Sequence, residues 1–323
     1  MTTRRRFLQM TGAALVTPAL PRSASAQQWP TKPIRAIIPF SAGSTIDILG
    51  RIVVDPLSAA LGQPIIVDNR GGAGGSIGTA VVAKAEPDGH TILIHASAHS
   101  VAPAAYPNAP YDAARDFSAV ANFGVVPNVV VISPAKGIKT LKQLADAAKS
   151  GSMSFASAGV ASASHWGAER FRLSAGFNAV HVPFKGGIEA LTDVMAGRVD
   201  FMSVGVSSAM PFITQGRLLA LGVATRKRSS TLPDVPTTIE AGYPDSDYTY
   251  WNGMLVPAKT PHAIIDRLHA ETQKVLRLPA VIEKLKPLGV EPMPLTPAEF
   301  DAMIAKEIKT NIALAKTAGL KFN

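Results

Sequence analysis

The amino-acid sequence predicts an α/β protein made of two lobes that are joined by a hinge. Three observations support this prediction. Short β-branched apolar runs alternate with longer stretches of helical periodicity, which is typical of α/β folds with largely parallel sheets. The chain of 323 residues is long enough for two hydrophobic cores. Two Pro-containing stretches also interrupt the alternation, and such breaks are typical of crossings between lobes.

The alternation predicts nine strands and eight helices in chain order. The last helix has the clearest pattern, because its apolar side chains recur at intervals that place them largely on one face. Those side chains are Phe300, Ile304, Ile308, Ile312 and Leu314. The strands are predicted over residues 34–39, 64–68, 91–95, 128–133, 153–157, 179–183, 199–203, 218–225 and 253–256, and the helices begin near Thr45, Ser76, Leu141, Ser162, Gly187, Pro261, Ala280 and Pro297.

The two breaks define the expected domain boundaries. One lies between Asn122 and Pro134, and the other lies between Arg226 and Pro236. If the chain leaves the first domain at one break and returns at the other, domain one comprises residues 27–124 and 228–323. Domain two is then residues 125–227. Two crossings make a hinge, which suits two lobes that close on a ligand.

The N-terminus has the layout of an export signal. Arg4, Arg5 and Arg6 precede an apolar stretch over residues 7–20, and Ala24-Ser25-Ala26 forms a small-x-small cleavage site. The apolar stretch is too short and polar to span a bilayer. We therefore expect residues 1–26 to be a cleaved signal peptide and the mature protein to be periplasmic. The Arg pair also resembles the twin-arginine motif, and the choice between that route and the general secretory route stays open.

Composition excludes several classes of protein. Removal of residues 1–26 takes away four Arg and no acid, so the formal charge falls from +9 to +5. That charge is scattered, and aromatics are only 6% of the chain, so a nucleic-acid partner is not expected. The sequence contains no Cys, which excludes disulfides, thiolate metal sites and cysteine nucleophiles. No cofactor is expected.

Two small-residue loops follow the first two predicted strands and precede helices. The first spans residues 40–45, and the second spans residues 71–78 with four Gly in five positions. Such loops leave N–H groups at a helix N-terminus, where an anion is favoured. An ordinary strand-to-helix turn is the alternative for either loop alone. The second loop is not a dinucleotide fingerprint, because Ile77 stands where the third Gly is required.

Motifs along the whole mature chain occur in the order found in one protein family. Because of them, the sequence resembles the Bug-type (TctC-like) receptors of the tripartite tricarboxylate transporter system. The motifs are residues 29–35, 39–47, 61–70, 72–78, 83–91, 159–165, 181–187, 232–237 and 251–257.

This resemblance implies a two-lobed periplasmic-binding-protein fold of type II, with a hinge of two crossover strands. It implies a receptor and not an enzyme. The receptor would capture a small carboxylate between its lobes, as a monomer, and deliver it to the permease subunits of a membrane transporter. A periplasmic sensor for a signalling partner would bind the same ligand in the same way, so that alternative stays open.

The resemblance also assigns binding residues by position. Those of domain one are Phe40, Ser41, Ala42, Gly43, Ser44, Thr45, Gly74, Gly75, Ser76 and Ser97. Those of domain two are Ser157, Ala158, Gly159, Ser162, Lys185, Ser203 and Val204, with His165, Gly186 and Gly205 nearby.

Some positions depart from the family pattern. Many members carry Asp at the position of Val204, and Val160-Ala161 replaces a commoner Asn-Gly pair. Without an acidic side chain in the pocket, the ammonium group of an amino acid would have no partner. We therefore expect a dicarboxylate, a hydroxy acid or an aromatic acid as the ligand.

A secreted hydrolase is the competing enzymatic interpretation. Ser157 and His165 could act as nucleophile and base, but no G-x-S-x-G elbow surrounds Ser157. His95, His99, His165 and His181 lack metal-binding spacings, so they are interpreted as structural histidines. His165 is expected early in a helix that is capped by Ser162 or Ser164. Trp251 could line the cleft or fill the interlobe core, and packing in that core is favoured.

Overall fold

The computed structural model describes residues 29–248 and 250–317. The predicted signal peptide, residues 1–26, lies outside the described residues. Within them the chain forms two five-stranded sheets flanked by helices, and each sheet is the centre of one lobe. The predicted α/β class and the two-lobed architecture are confirmed.

Lobe one contains the sheet with strand order β2-β1-β3-β10-β4. Strand β1 pairs in parallel with both β2 and β3, whereas β10 pairs antiparallel with β3 and β4. Four strands therefore run in one direction and β10 runs against them. Their bounds are Ile34–Ile38 for β1, Ile65–Asn69 for β2, Thr91–Ala96 for β3, Phe117–Val126 for β4 and Tyr250–Pro257 for β10.

Lobe two repeats this plan with the order β7-β6-β8-β5-β9. Strand β6 is parallel to β7 and β8, and β5 is antiparallel to β8 and β9. The strands are Asn128–Ile132 for β5, Ser154–Ser157 for β6, Val180–Pro183 for β7, Phe201–Gly205 for β8 and Leu219–Val223 for β9.

Local chemistry sets several helix ends. The Thr140 side chain accepts a hydrogen bond from the Gln143 N–H and begins α4, and left-handed Gly62 ends α1. The helices are α1 Thr45–Leu61, α2 Ser76–Ala83, α3 Ala98–Ala105, α4 Leu141–Ser150, α5 Ala163–Ala175, α6 Gly187–Met195, α7 Val206–Thr214, α8 His262–Leu276, α9 Pro279–Leu285 and α10 Pro297–Thr317.

The chain passes between the sheets twice. The first passage is at Pro127, between β4 and β5, and the second lies between β9 and β10. The second connection stays beside lobe two at first, because the Thr238 N–H donates to the Val223 carbonyl. The domain boundaries after residues 124 and 227 remain a prediction.

The sequence missed three elements, β4, α3 and α7. Strand β4 is rich in small and polar residues, whereas α3 and α7 contain Pro103 and Pro211, which obscure helical periodicity. The buried apolar face of α10 also ends before the last residues that the sequence pattern predicted for it. Ile312 is 44% exposed, and the buried position is that of Asn311, whose side-chain amide donates to the Ser100 carbonyl at 3.1 Å.

Candidate functional site

The two lobes meet around a small cavity, here called the interlobe cavity. Its volume is about 30 Å³, which is room for water-sized molecules only. Lobe one contributes Phe40, Ser44, Thr45, Ile46, Ala96, Ala98 and Tyr250 to its lining. Lobe two contributes Ala158, Ser162, Ala163, Ser164, Gly187, Met202, Val204, Gly205 and Ser208.

Direct bonds between the lobes show that this arrangement is closed. Thr45 Oγ1 and Ser208 Oγ are 2.8 Å apart, and Tyr106 Oη donates to the Val160 carbonyl at 3.1 Å. Burial raises the pKa of the Tyr250 phenol, which also contacts Thr45, so this hydroxyl stays neutral. An organic acid can therefore enter this space only when the lobes separate.

Five helix N-termini converge on the interlobe cavity. The first residues of α1, α3, α5 and α6 line it, and so do Gly205 and Ser208 at the start of α7. The first turn of a helix has N–H groups without intrahelical acceptors and carries a partial positive charge. Among the described residues, no Asp, Glu, Lys or Arg lines the cavity. The backbone thus supplies a positive potential, which suits an anion.

A buried carboxylate holds the lobe-one wall. Asp47 accepts hydrogen bonds from the Gly43 N–H at 2.9 Å, from Arg51 Nε at 3.0 Å and from Asn69 Nδ2 at 2.9 Å. Asn69 Nδ2 also donates to the Phe40 carbonyl at 3.0 Å. These bonds fix both ends of the loop over residues 40–45 in front of α1.

The glycine-rich loop of lobe one lies against lobe two and not against the interlobe cavity. Gly74 has φ of +60°, and a Cβ there would overlap the Val160 carbonyl oxygen, so only Gly fits this contact. Gly75 lies beside Phe40, and Ser76 Oγ accepts a hydrogen bond from Tyr111 Oη at 3.2 Å.

The other lobe-one residues assigned from the sequence lie behind the cavity. Ser41 packs against Gly186 of lobe two, and Ser97 Oγ accepts a hydrogen bond from Tyr248 Oη at 2.9 Å. Ala42 and Gly43 belong to the loop but do not line the cavity.

Two stacked histidines hold the lobe-two wall. The rings of His165 and His181 are parallel to within 3°, with centroids 3.9 Å apart. His165 Nδ1 accepts the Ala161 N–H at 3.0 Å, and His181 Nε2 is 2.6 Å from Ser157 Oγ. Burial lowers the pKa of His165 to about 3 and that of His181 to about 4. Both imidazoles are therefore neutral at neutral pH, and they fix residues 157–161.

The proximity of Ser157 to a histidine does not form a catalytic triad. Ser157 pairs with His181 and not with His165, and its Oγ also donates to the Gly159 carbonyl at 3.0 Å. No carboxylate among the described residues hydrogen-bonds to His181. A triad needs a basic histidine that a third group orients. The arrangement is that of a loop anchor.

The remaining lobe-two assignments fall into two groups. Ala158, Ser162 and Val204 line the interlobe cavity, and Ser162 caps α5 by accepting the His165 N–H at 3.2 Å, which confirms the expected cap. Ser203 lies on the opposite face of β8, and its Oγ would be 2.6 Å from a Cβ on Gly167. The lining does not include Ser157, Gly159 or exposed Lys185.

Sequence reasoning missed Tyr250 and Ser208 as lining residues. Tyr250 begins β10, three residues before the predicted strand, and extending the strand pattern backwards would have included it. Ser208 lies on the missed helix α7, although its segment also follows a strand end, as the predicted loops do.

The structure also tests the expected position of Trp251. Trp251 is fully buried and packs edge-to-face on Phe300 with centroids 5.0 Å apart, which confirms the expected packing but places it in the core of lobe one and not between the lobes. Within the described residues, no three His, Asp or Glu side chains are grouped so that they could hold a metal ion. No helix in the same part of the chain is long and apolar enough to cross a membrane.

Comparison with known proteins extends these observations. Residues 49–320 match the model of the tripartite tricarboxylate transporter family receptor. The chain is 38% identical over 291 residues to the UPF0065 protein in the tcbD-tcbE intergenic region of Pseudomonas sp. (strain P51), covering 89% of this chain and 86% of that protein. It is 32% identical over 320 residues to BugT of Bordetella pertussis, covering 98% of each.

Solved structures agree with this assignment. The periplasmic binding protein BugD superimposes with a TM-score of 0.86 at 32% identity, over 91% of this chain and 99% of that one. MatC from Rhodopseudomonas palustris with bound malate gives 0.84 at 29% identity, over 88% and 99% of the chains. An R. palustris protein with adipate gives 0.86 at 30% identity, over 90% and 98%. The chain therefore belongs to the tripartite tricarboxylate transporter receptor family, whose members are periplasmic solute-binding receptors of the Bug type and not enzymes.

Proposed function

We propose that this protein is a periplasmic receptor that captures a small carboxylate in the interlobe cavity. It delivers the ligand, as a monomer, to the permease subunits of a tripartite tricarboxylate-type transporter. The observation that carries the proposal is the convergence of five helix N-termini on a cavity without acidic side chains. Backbone N–H groups that are already oriented bind a carboxylate through charge-assisted hydrogen bonds.

Relatives support the carboxylate class. MatC has been solved with malate, and the second R. palustris protein has been solved with adipate. Both ligands are small organic diacids without an amino group. Both proteins share the two-lobed fold with this chain at 29–30% identity. The binding residues of this chain are proposed to be the assigned residues that line the interlobe cavity, together with Tyr250 and Ser208, and the other assigned residues are proposed to hold them in position. The assigned lining residues are Phe40, Ser44, Thr45, Ala158, Ser162 and Val204.

The absence of a partner for an ammonium group narrows the class further. Two acids that could serve as alternative partners are engaged elsewhere. Asp47 is bound by Arg51 and Asn69, and Asp200 accepts Lys136 Nζ at 2.6 Å and Ser154 Oγ at 2.9 Å. Burying an unpaired ammonium costs several kcal/mol, on the order of the penalty for an isolated ion. The ligand is thus a dicarboxylate, a hydroxy acid or an aromatic acid.

A panel of matched compounds tests this proposal on the protein of residues 27–323. Succinate, malate, adipate and benzoate should include at least one acid that raises the melting temperature and binds saturably in calorimetry. The diamide of the best acid should bind at least about tenfold more weakly, because it loses charge-assisted hydrogen bonds. Aspartate should bind at least about tenfold more weakly than succinate, because its ammonium group would be buried without a partner. Equal binding of the acid and its diamide contradicts the proposal.

An engineered carboxylate provides a sharper test of the lobe-two wall. Val204→Asp places an acid in the interlobe cavity and should shift the preference from succinate toward aspartate. The matched control is Val180→Asp, at an exposed position of the same lobe, which should leave the preference unchanged. A preference for aspartate in the unmodified protein contradicts the assignment of the ligand class.

Export and delivery require tests in cells. N-terminal sequencing of periplasmic protein should begin near Gln27, and retention of Met1 in the cytosol contradicts export. Replacement of Arg4 and Arg5 by Lys should slow export if the twin-arginine route is used. Deletion of the gene should abolish uptake of the bound acid; unchanged uptake, with export intact, contradicts delivery to a transporter and favours sensing.

A further inference from the structure

We propose a second ligand site on the hinge side of lobe one, specific for a monocarboxylate with an apolar body. The site, here called the hinge pocket, is a cavity of about 480 Å³. Ligand pockets in proteins typically measure roughly 300–1,000 Å³ and combine apolar walls with a few polar groups. Its defining residues are Asn122, Phe123, Gln273, Leu276, Arg277 and Val290.

The hinge pocket is separate from the interlobe cavity and shares no lining residue with it. Asn122 and Phe123 lie on β4, which leads to the first passage between lobes, and Ser230 lies in the second connection. The wall over residues 290–294 is attached to β4, because Val125 and Glu291 exchange two backbone hydrogen bonds of 2.9 Å. The pocket thus borders both segments that join the lobes.

The walls of the hinge pocket suit an apolar body. Leu276 of α8 and Leu285 of α9 face it, together with Phe123 and Met293. Ile282 also lines the pocket and is 47% exposed. A ligand that covers Ile282 would remove this apolar surface from water.

Two side-chain amides point to an acceptor group on the ligand. Asn122 is 2% exposed, and its Oδ1 accepts the Gly124 N–H at 2.7 Å, which fixes the amide orientation. Its Nδ2 is buried without a hydrogen-bond partner among the described residues, and so is Nε2 of Gln273. Buried donors are rarely left unpaired in native proteins. An oxygen-bearing group in the pocket would satisfy both.

Charge identifies this acceptor group as a carboxylate. Arg277 is the C-cap residue of α8, four positions after Gln273, and both residues line the pocket. Lys286 also lines the pocket, and neither cation forms an ion pair with another described residue. No Asp or Glu is among the described lining residues. A carboxylate near Gln273 is therefore next to a guanidinium, while its apolar chain extends along Leu276 and Leu285.

Octanoate titrated into the protein of residues 27–323 tests this site, with 1-octanol as the neutral control. Calorimetry should show one saturable site for octanoate and much weaker binding of octanol. Arg277→Gln should weaken octanoate binding about tenfold, the effect of losing one charge-assisted hydrogen bond. Gln273→Leu should weaken it by a similar factor. The matched control Lys274→Gln removes a cation from the same helical turn, outside the pocket, and should leave the affinity unchanged.

Three results would overturn the hinge pocket. The first is the absence of saturable octanoate binding at millimolar concentration. The second is an equal effect of Arg277→Gln and Lys274→Gln, which would indicate only a general effect of charge. The third is loss of octanoate binding in Gly74→Val with full binding in Arg277→Gln. Because Gly74 lies at the lobe interface, this result would mean that octanoate occupies the interlobe cavity. None of these results depends on the identity of the transported acid.

Discussion

The two walls of the interlobe cavity are held in place by different chemistry. In lobe one, Asp47 binds the loop before α1 and is paired with Arg51, whose side chain is 46% exposed. In lobe two, the stacked imidazoles of His165 and His181 bind residues 157–161 and are largely buried. One wall thus depends on an ion pair at the edge of the solvent, and the other depends on two neutral rings.

This difference shows how the cavity can keep a positive potential without charged side chains in its lining. The charges of lobe one lie one layer behind the loop, where they fix the backbone without facing the ligand. Lobe two avoids charge, since burial holds its imidazoles neutral. In both walls the polar groups near the cavity are backbone N–H groups and hydroxyls, and the anchors decide only their positions.

The largest effect is expected from blocking the contact between the walls. Gly74→Val forces a left-handed residue to carry a branched side chain against the Val160 carbonyl. Strain and overlap together should cost about 4 kcal/mol, close to a thousandfold in affinity for the best acid of the panel. Calorimetry measures this loss. The control variant Gly151→Val changes an exposed position with only ordinary contacts and should bind the acid normally. Full binding by Gly74→Val would show that closure does not use the contact between Gly74 and Val160.

Removing the charged anchor should have the next largest effect. Asp47→Ala deletes the acceptor of three hydrogen bonds in a side chain that is 4% exposed. The free energy of unfolding should fall by about 3 kcal/mol, because Asn69 and the Gly43 N–H lose their partner. Urea denaturation measures this change. The control variant Asp146→Ala breaks an exposed i,i+4 pair with Lys142 and should change the free energy of unfolding by less than about 0.5 kcal/mol. Equal losses of stability in Asp47→Ala and Asp146→Ala would contradict the anchor role of Asp47.

The neutral anchor should make the protein sensitive to acid. The pKa of His165 falls from 6.5 to about 3 on folding because of burial, so the folded state resists protonation. The contribution of the neutral His165 imidazole to the free energy of unfolding is fully present above pH 6.5 and decreases as the pH falls toward 3. At pH 5 this loss is about 2 kcal/mol for His165, and His181, whose pKa in the folded state is about 4, contributes in the same direction.

Melting temperatures from pH 7.5 to 4.5 test this dependence. His95 and His99 of lobe one contribute in the same direction, since burial lowers the pKa of His95 well below 6.5 and that of His99 to about 4. His165→Gln should therefore flatten the pH profile without removing its slope. Replacement of the exposed His262 by Gln should leave the slope unchanged, and an identical slope in both variants would contradict the buried-imidazole explanation.

The smallest effect concerns the hydroxyl bond that joins the walls. Ser208→Ala removes the 2.8 Å bond to Thr45 and should weaken ligand binding by about 1 kcal/mol, roughly fivefold. The neighbouring Ser207 has a buried hydroxyl without a partner among the described residues, so Ser207→Ala is the matched control and should bind normally. Equal affinities in the two variants would mean that the bond does not stabilise the closed state.

Much of the fold could be predicted from local patterns. All eight predicted helix starts lie within one residue of the observed starts, which are those of α1, α2, α4, α5, α6, α8, α9 and α10. These ends are set by capping residues and turns a few positions apart, which the sequence displays directly. The strand predicted over residues 199–203 is instead β8, Phe201–Gly205, because its ends follow from pairing with distant β5.

The α/β class, the two lobes and the helix-starting loops could all be predicted from sequence patterns, since each depends on residues that are neighbours in the chain. Which of those loops meet follows from the packing of the two lobes. Thr45 and Ser208 bond across 163 positions, Gly74 packs on lobe two, and Ser157 pairs with His181 instead of His165. Such contacts depend on how two separately formed lobes fit together, and no periodicity within a window of ten or twenty residues contains that information.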